Sequence, residues 1–311
     1  MLTYLPRDFI ETQERLIFAV VAHGTEQGRA LAFLRYVPVG ARWRKVGTDE
    51  AQRLLSSTYP QYLYYSAMRD VHLHGVPLAA IRKIYRPRSR MRDIVRKKGC
   101  DSLEDKAARL LTLFTEQGLA QVTVGITGSM LIGQHNRDSD IDLVIYGRSP
   151  FHRARGIIEQ LVADGVLQGL DDDLWREAYA RRGCSLTLDE FVWHERRKYN
   201  KAAIAGTKFD IGMVTERAPS LCQRFRKQGK LKTRAIVSND CYAFDYPARY
   251  LLDGEGVAEV VSYTATYVGQ ARTGETIEVL GMLEGSEKGE WRVLVGTTRE
   301  ASGEYIKVIQ T

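Results

Sequence analysis

Between Gly125 and Tyr146 the chain reads GITGSMLIGQHNRDSDIDLVIY. A β-branched run from Val122 to Thr127 ends at Gly128-Ser129, and further on Ser139-Asp140-Ile141-Asp142 leads into the apolar run Leu143–Tyr146. Alternate side chains of an extended strand share a face. Asp138, Asp140 and Asp142 are therefore expected on one side, with Ile141, Leu143 and Ile145 on the other. Carboxylates stacked this closely repel one another and are costly to bury unpaired. Such a strand either faces solvent or holds cations, and hard divalent ions with oxygen ligands suit it best. A second alternating run, Lys208-Phe-Asp-Ile-Gly-Met-Val214, carries Asp210 as its only acid.

Taken together, Gly128-Ser129, the gap that follows, Asp140-Ile-Asp142-Leu and the later Asp210 resemble the signature of the DNA polymerase beta-like nucleotidyltransferase superfamily. The resemblance spans about residues 103–215. It implies an α/β nucleotidyltransferase core that moves a nucleoside monophosphate from a nucleoside triphosphate to a hydroxyl, using two Mg²⁺ ions, with Mn²⁺ as a substitute. Under that resemblance Asp140 and Asp142 bridge both ions. Asp210 binds the ion that activates the incoming hydroxyl, and assists its deprotonation. Gly128 and Ser129 approach the phosphates. Lys208 shares the face of Asp210 and either meets a phosphate or offsets the acidic cluster; the sequence leaves both open. A competing class is a nucleic-acid-binding protein whose nucleotidyltransferase fold senses nucleotide without turnover.

The chain has 311 residues and carries 45 Lys and Arg against 38 Asp and Glu, a formal net charge of +7. That surplus favours polyanionic partners, RNA or DNA among them. Length and texture suggest an N-terminal α+β module over 1–80, a catalytic domain with a preceding basic segment over 81–240, and a small antiparallel β-barrel, OB-like or SH3-like, over 241–311. No apolar run approaches the roughly 20 residues that span a bilayer, and the start of the chain lacks the pattern of a signal peptide. The four cysteines, Cys100, Cys184, Cys222 and Cys241, form no close pair, so neither a zinc site nor a disulfide partner is expected and a reducing cytoplasm is.

Two basic runs stand out. Residues 82–98 hold nine Lys or Arg against one Asp. They read either as a phosphate-binding patch built on Arg86, Arg88, Arg90, Arg92, Lys97 and Lys98, or as a solvated linker and helix end. Residues 224–234 are basic and free of acids. A hairpin is expected over 15–37, a capped helix over 48–55, and an amphipathic helix from Asp101 with Leu103, Ala107, Leu110, Leu111 and Phe114 on one face. Thr187-Leu-Asp-Glu190 is a capping box that opens a helix leading to Arg196, Arg197, Lys198 and Lys201. That basic helix either meets phosphates or is a solvated face. Asp171–Asp173 read as a helix N-terminus rather than a metal site, and His72 and His74 as ordinary strand positions. Tyr263 and Tyr267 are either stacking platforms for bases or core residues.

Overall fold

In a computed structural model, residues 4–97, 102–217, 224–254, 256–298 and 301–309 are described. Contacts gather into two units. One comprises the chain to Ser66, His72–Gly169 and the stretch from Asn200; the other comprises Ala67–Val71, Leu170–Tyr199 and the C-terminal part.

The first unit begins with strands β1 (Phe9–Thr12), β2 (Ile17–Val20), β3 (Arg29–Val39) and β4 (Arg42–Lys45), helix α1 (Thr48–Thr58), then β5 (Leu63–Ser66), β6 (Val71–Pro77) and β7 (Ile81–Tyr85). These strands form one sheet in the order β5-β6-β3-β2-β1-β7, with β4 attached to β3. β2 and β3 are the expected hairpin. Ile10, Phe18, Leu34, Leu55 and Tyr62 close its core. α1 is present, but Gly47 stands at its N-cap and no side chain caps it.

Helices α2 (Pro87–Lys97) and α3 (Ser102–Glu116) follow, then β8 (Val124–Ile126), the single turn α4 (Gly128–Leu131), β9 (Ile141–Tyr146) and α5 (Arg148–Ala163). The unit ends on β10 (Lys201–Ile204) and β11 (Thr207–Val214). The second sheet runs β10-β11-β9-β8, with β9 and β11 parallel. Apolar side chains recurring at helical spacing seat the helices: Pro87, Met91 and Ile94 on α2, and Phe151, Ala154, Ile158 and Leu161 on α5. A Cβ on Gly125 of β8 would lie 2.8 Å from that of Pro87, so a glycine lets α2 lie directly on the strand. β9 starts at Ile141. Asp138 and Asp140 therefore precede the strand, and only Asp142 of the three acids lies in it, a correction to the stacked face expected from alternation. Asp138 is exposed in a turn whose N–H donates to Asn136 Oδ1 at 3.0 Å.

The basic run at 82–98 forms the end of β7 and α2 rather than a linker. Arg86 pairs with the buried Asp8 at 2.8 Å, Arg88 with Glu216 at 2.6 Å, and Arg90 with Glu104. Arg88 also lies over the Tyr146 ring at 3.7 Å. Half of the expected patch thus joins elements of the protein to one another. Arg92 and Lys97 are exposed, and Lys98 lies outside the described residues.

The second unit contains α6 (Asp172–Ala180), α7 (Leu188–Arg196) and strands β12 (Phe225–Asn239), β13 (Ala248–Asp253), β14 (Val257–Ser262), β15 (Thr276–Ser286), β16 (Trp291–Val295) and β17 (Tyr305–Val308). Asp171 caps α6, its carboxylate accepting from the Leu174 N–H at 2.9 Å. Both halves of the Thr187–Glu190 capping box form on α7. The pairings run β12-β13-β14-β16-β15-β17, and β15 also pairs with β12. β14 and β16 are parallel, which corrects the all-antiparallel expectation, and the sheet takes in β12, upstream of residue 241. Tyr267 is fully buried, with its hydroxyl donating to the Glu304 carbonyl at 3.0 Å; it is a core residue, not a stacking platform. The cations of the α7 region are internally paired: Arg196 with Asp172, Arg197 with Glu275, and the buried Lys198 with Glu195 and the Thr266 carbonyl. Arg197 and Lys198 are thereby withdrawn from solvent, whereas Arg196 is exposed, so the solvated face expected of that helix holds for Arg196 alone among the three. Among the described residues, Cys184 and Cys241 are free thiols and no helix is long and apolar enough to cross a membrane.

Two histidines are buried and neutral. His74 Nδ1 accepts from the Leu34 N–H at 2.9 Å. His194 Nε2 accepts from the Val308 N–H at 3.1 Å, and its Nδ1 lies 2.6 Å from the Glu190 carbonyl. Burial pushes each imidazole down to about 4. A histidine depressed in the folded state stabilises above its unfolded pKa, and that contribution is lost as pH falls from about 6.5 toward 4. In the first unit Asp8, pushed up to about 6 by burial against the pull of Arg86, works in the opposite direction. The His194 imidazole is expected to stay neutral to about pH 4 in an NMR titration. Its own contribution of about 3 kcal/mol, read as the difference between wild type and His194→Gln in denaturant melts, is expected to be lost over that window, while Glu284, whose pKa burial raises, works the other way.

Candidate functional site

The site is built on the middle of the second sheet. Asp142 on β9 and Asp210 on β11 are register partners across the parallel pair. Lys201 on β10 is opposite Asp210 in turn. Residues opposed across neighbouring strands share a face and stand about 5 Å apart, so Lys201, Asp210 and Asp142 form a row on one side of the sheet. Lys208, two residues before Asp210, shares that face; it is largely buried, and its Nζ lies 3.0 Å from Asp140 Oδ2.

The Gly-Ser turn lies against this row. Gly128 has φ +65°, and a Cβ there would sit 2.0 Å from Asp142 Oδ2. Only a glycine leaves room for that carboxylate beside the backbone. The Thr127 N–H donates to the Asp142 carbonyl at 2.9 Å, tying the turn to β9. Ser129 begins the return of the chain, its carbonyl accepting from the Gln134 N–H at 2.9 Å.

Asp142 is the strained acid of the group. Burial raises its pKa well above the usual carboxylate range. The charges of Asp210 and Asp140 raise it further, while Arg7 and Lys45 pull it down. Those two cations come from the N-terminal sheet and its approach, Lys45 from the end of β4 and Arg7 from the turn before β1. Arg7 sits in the left-handed region at φ 76°, and its carbonyl accepts from Thr127 Oγ1 at 3.1 Å. Its guanidinium lies over β11, where a Cβ on Gly212 would be 3.2 Å from Nη2. Lys45 is opposite Tyr36 on β3. An apolar cluster of Phe9, Ile17 and Tyr36 with Leu131 and Ile132 presses that sheet onto the residues after the Gly-Ser turn. The Trp43 N–H adds a bond to Gln134 Oε1 at 3.2 Å.

Residues 108–200 match the family described as Nucleotidyltransferase domain. That segment contains Gly128, Ser129, Asp140 and Asp142; Asp210 lies beyond it. The chain is also similar over 97% of its length to the uncharacterized protein MJ1086 of Methanocaldococcus jannaschii, at 36% identity over 335 residues and 98% of that protein. No solved structure matches. The chain belongs to the polymerase beta-like nucleotidyltransferase superfamily. Members of this family generally use divalent metals such as Mg²⁺.

The donors in this nucleotidyltransferase suit such ions. Asp142, Asp210 and Asp140 offer hard carboxylate oxygens, and the mutual repulsion that raises Asp142 is what a cation would relieve. Among the described residues, no three His, Cys, Asp or Glu side chains stand together as a formed metal cluster; Asp140 is turned to Lys208. His72 and His74 bring no third ligand, and His74 is committed to the β3 backbone.

Sequence reasoning missed Arg7 and Lys45, and placed Lys201 at the end of a helix. The last had a signal. Ala205 and Gly206, both at positive φ, form a two-residue turn between β10 and β11, and Gly in such a loop between alternating runs marks a hairpin. Arg7 and Lys45 carry no local signal, since only the packing of the N-terminal sheet brings them to the carboxylates.

Gly128→Ala tests the cradle. The added methyl must displace the Asp142 carboxylate at an unfavourable φ, so nucleotidyl transfer is expected to fall at least about 100-fold, with a stability loss of only about 1–3 kcal/mol. Retained activity would show that the carboxylate need not lie against the turn.

Proposed function

We propose that this protein transfers a nucleoside monophosphate from a nucleoside triphosphate to a hydroxyl on RNA or DNA and releases pyrophosphate. The observation that carries the reading is the opposition of Asp142 and Asp210 on one sheet face, with Gly128 pressed against the first and Asp140 beside them. An acceptor oxygen attacks the α-phosphorus, the bond to the β-phosphate breaks, and the hydroxyl proton passes to a carboxylate, with Asp210 as the acceptor of that proton. Asp140, Asp142 and Asp210 would hold two Mg²⁺ ions, or Mn²⁺ in their place, which supply charge neutralisation at the α-phosphate and the departing pyrophosphate. Gly128 and Ser129 give phosphate oxygens close access to backbone N–H groups and a hydroxyl. Lys208 exchanges Asp140 for a phosphate of the nucleotide.

The C-terminal sheet supports a nucleic-acid acceptor. We read its ring of pairings, β12-β13-β14-β16-β15 returning to β12 with β14 and β16 parallel, as a small barrel of OB type rather than SH3 type. Lys230, Lys232 and Arg234 project from one face of β12 and are exposed. Lys232 and Arg234 share Glu278, at 3.3 and 2.8 Å, so the strand keeps net positive charge toward solvent. Binding through such contacts weakens steeply with salt.

Incubation with each α-labelled nucleoside triphosphate, Mg²⁺ and cellular RNA, DNA and protein fractions tests the reading. Label is expected in the nucleic-acid fraction, and Asp142→Ala or Asp210→Ala is expected to lower it by three orders of magnitude or more. Label in protein would replace the acceptor; no label with any triphosphate would overturn the transferase reading.

A further inference from the structure

The N-terminal sheet does more than cover the core. We propose that Arg7, assisted by Lys45, grips the β- and γ-phosphates of the bound nucleoside triphosphate, so that residues upstream of the family domain complete the nucleotide site. The inference rests on the transferase reading and adds to it the element that holds the leaving group.

Three features of Arg7 carry it. Its guanidinium lies over Gly212, and Gly212 is two residues beyond Asp210 and therefore on the same face of β11. A side chain at 212 would occupy that space. The backbone of Arg7 is held in the left-handed region, a conformation that costs a non-glycine residue energy. Its N–H donates to the Val20 carbonyl at 3.0 Å and its own carbonyl accepts from Thr127, the residue before Gly128. The Gly-Ser turn and the arginine are thereby fixed to each other. Yet Arg7 is exposed, so its guanidinium can reach a ligand. Lys45, also exposed, approaches from β4, whose neighbour Trp43 is bonded to the loop after the turn.

The charge pattern fits a triphosphate. The carboxylates would hold cations beside the α-phosphate, and a nucleoside triphosphate carries further anionic oxygens on its β- and γ-phosphates that would reach past them. A planar guanidinium meets such oxygens bidentately, and charge on the departing pyrophosphate grows as the bond breaks.

The base is unknown, so the probe is inorganic tripolyphosphate with Mg²⁺, measured by calorimetry on the full chain. Wild-type protein is expected to bind it. Arg7→Ala is expected to weaken binding tenfold or more, Arg7→Lys to restore part of it, and Lys45→Ala to weaken it less. Binding of inorganic phosphate, which spans only one position, is expected to change little. Equal tripolyphosphate affinity in Arg7→Ala, with tighter binding of Mg²⁺ alone, would overturn the inference and leave Arg7 as a counter-ion of Asp142. Equal loss for both anions with a lowered melting temperature would overturn it in favour of a purely structural arginine. Failure of the wild type to bind tripolyphosphate at all would sink the transferase reading itself, a result distinguishable from the other two.

Discussion

Two carboxylates held side by side on adjacent parallel strands are the interaction around which the first unit is arranged. Asp142 and Asp210 cannot both be charged and partly buried at that separation without opposite charge nearby. The chain answers with cations from four places in the sequence. Lys208 pairs with Asp140, Lys201 stands opposite Asp210, and Arg7 and Lys45 arrive from the N-terminal sheet and its approach. The repulsion is a cost to folding that a bound cation would relieve.

Backbone constraints make the arrangement specific. Gly128 is needed because the carboxylate occupies the space of its missing Cβ, and Gly125 because α2 lies on β8. Gly212 leaves room for the Arg7 guanidinium. These three glycines sit where the protein brings its own groups into close approach: Gly128 and Gly212 remove side chains beside Asp142 and the Arg7 guanidinium, and Gly125 removes one from between α2 and β8.

Much of this was legible in the sequence. The Gly-Ser turn, the acid at the start of an apolar strand and the lone acid of a later strand predict the site because their local patterns impose it. The capping box at Thr187 and the acids before α6 were equally plain, since cap chemistry is local. What escaped depended on distant packing. The basic run at 82–98 looks like a phosphate surface, but Asp8, Glu104 and Glu216 come from elsewhere to pair with it. Lys198 reads as a solvent-facing helix cation, and is buried against Glu195. β12 carries too many charges to read as a strand, because its exposed face is basic along much of its length. Arg7 lies in a turn with no motif around it.

The central claim is that Asp142 and Asp210 together form a metal-nucleotide site. Titration of Mn²⁺ into the protein with ATP present, followed by electron paramagnetic resonance, addresses it without any knowledge of the acceptor. The account expects Mn²⁺ to bind in a nucleotide-dependent manner and Asp210→Asn to abolish that binding while leaving the fold intact. Binding that is unchanged in Asp210→Asn, or that is absent from the wild-type protein, would contradict it.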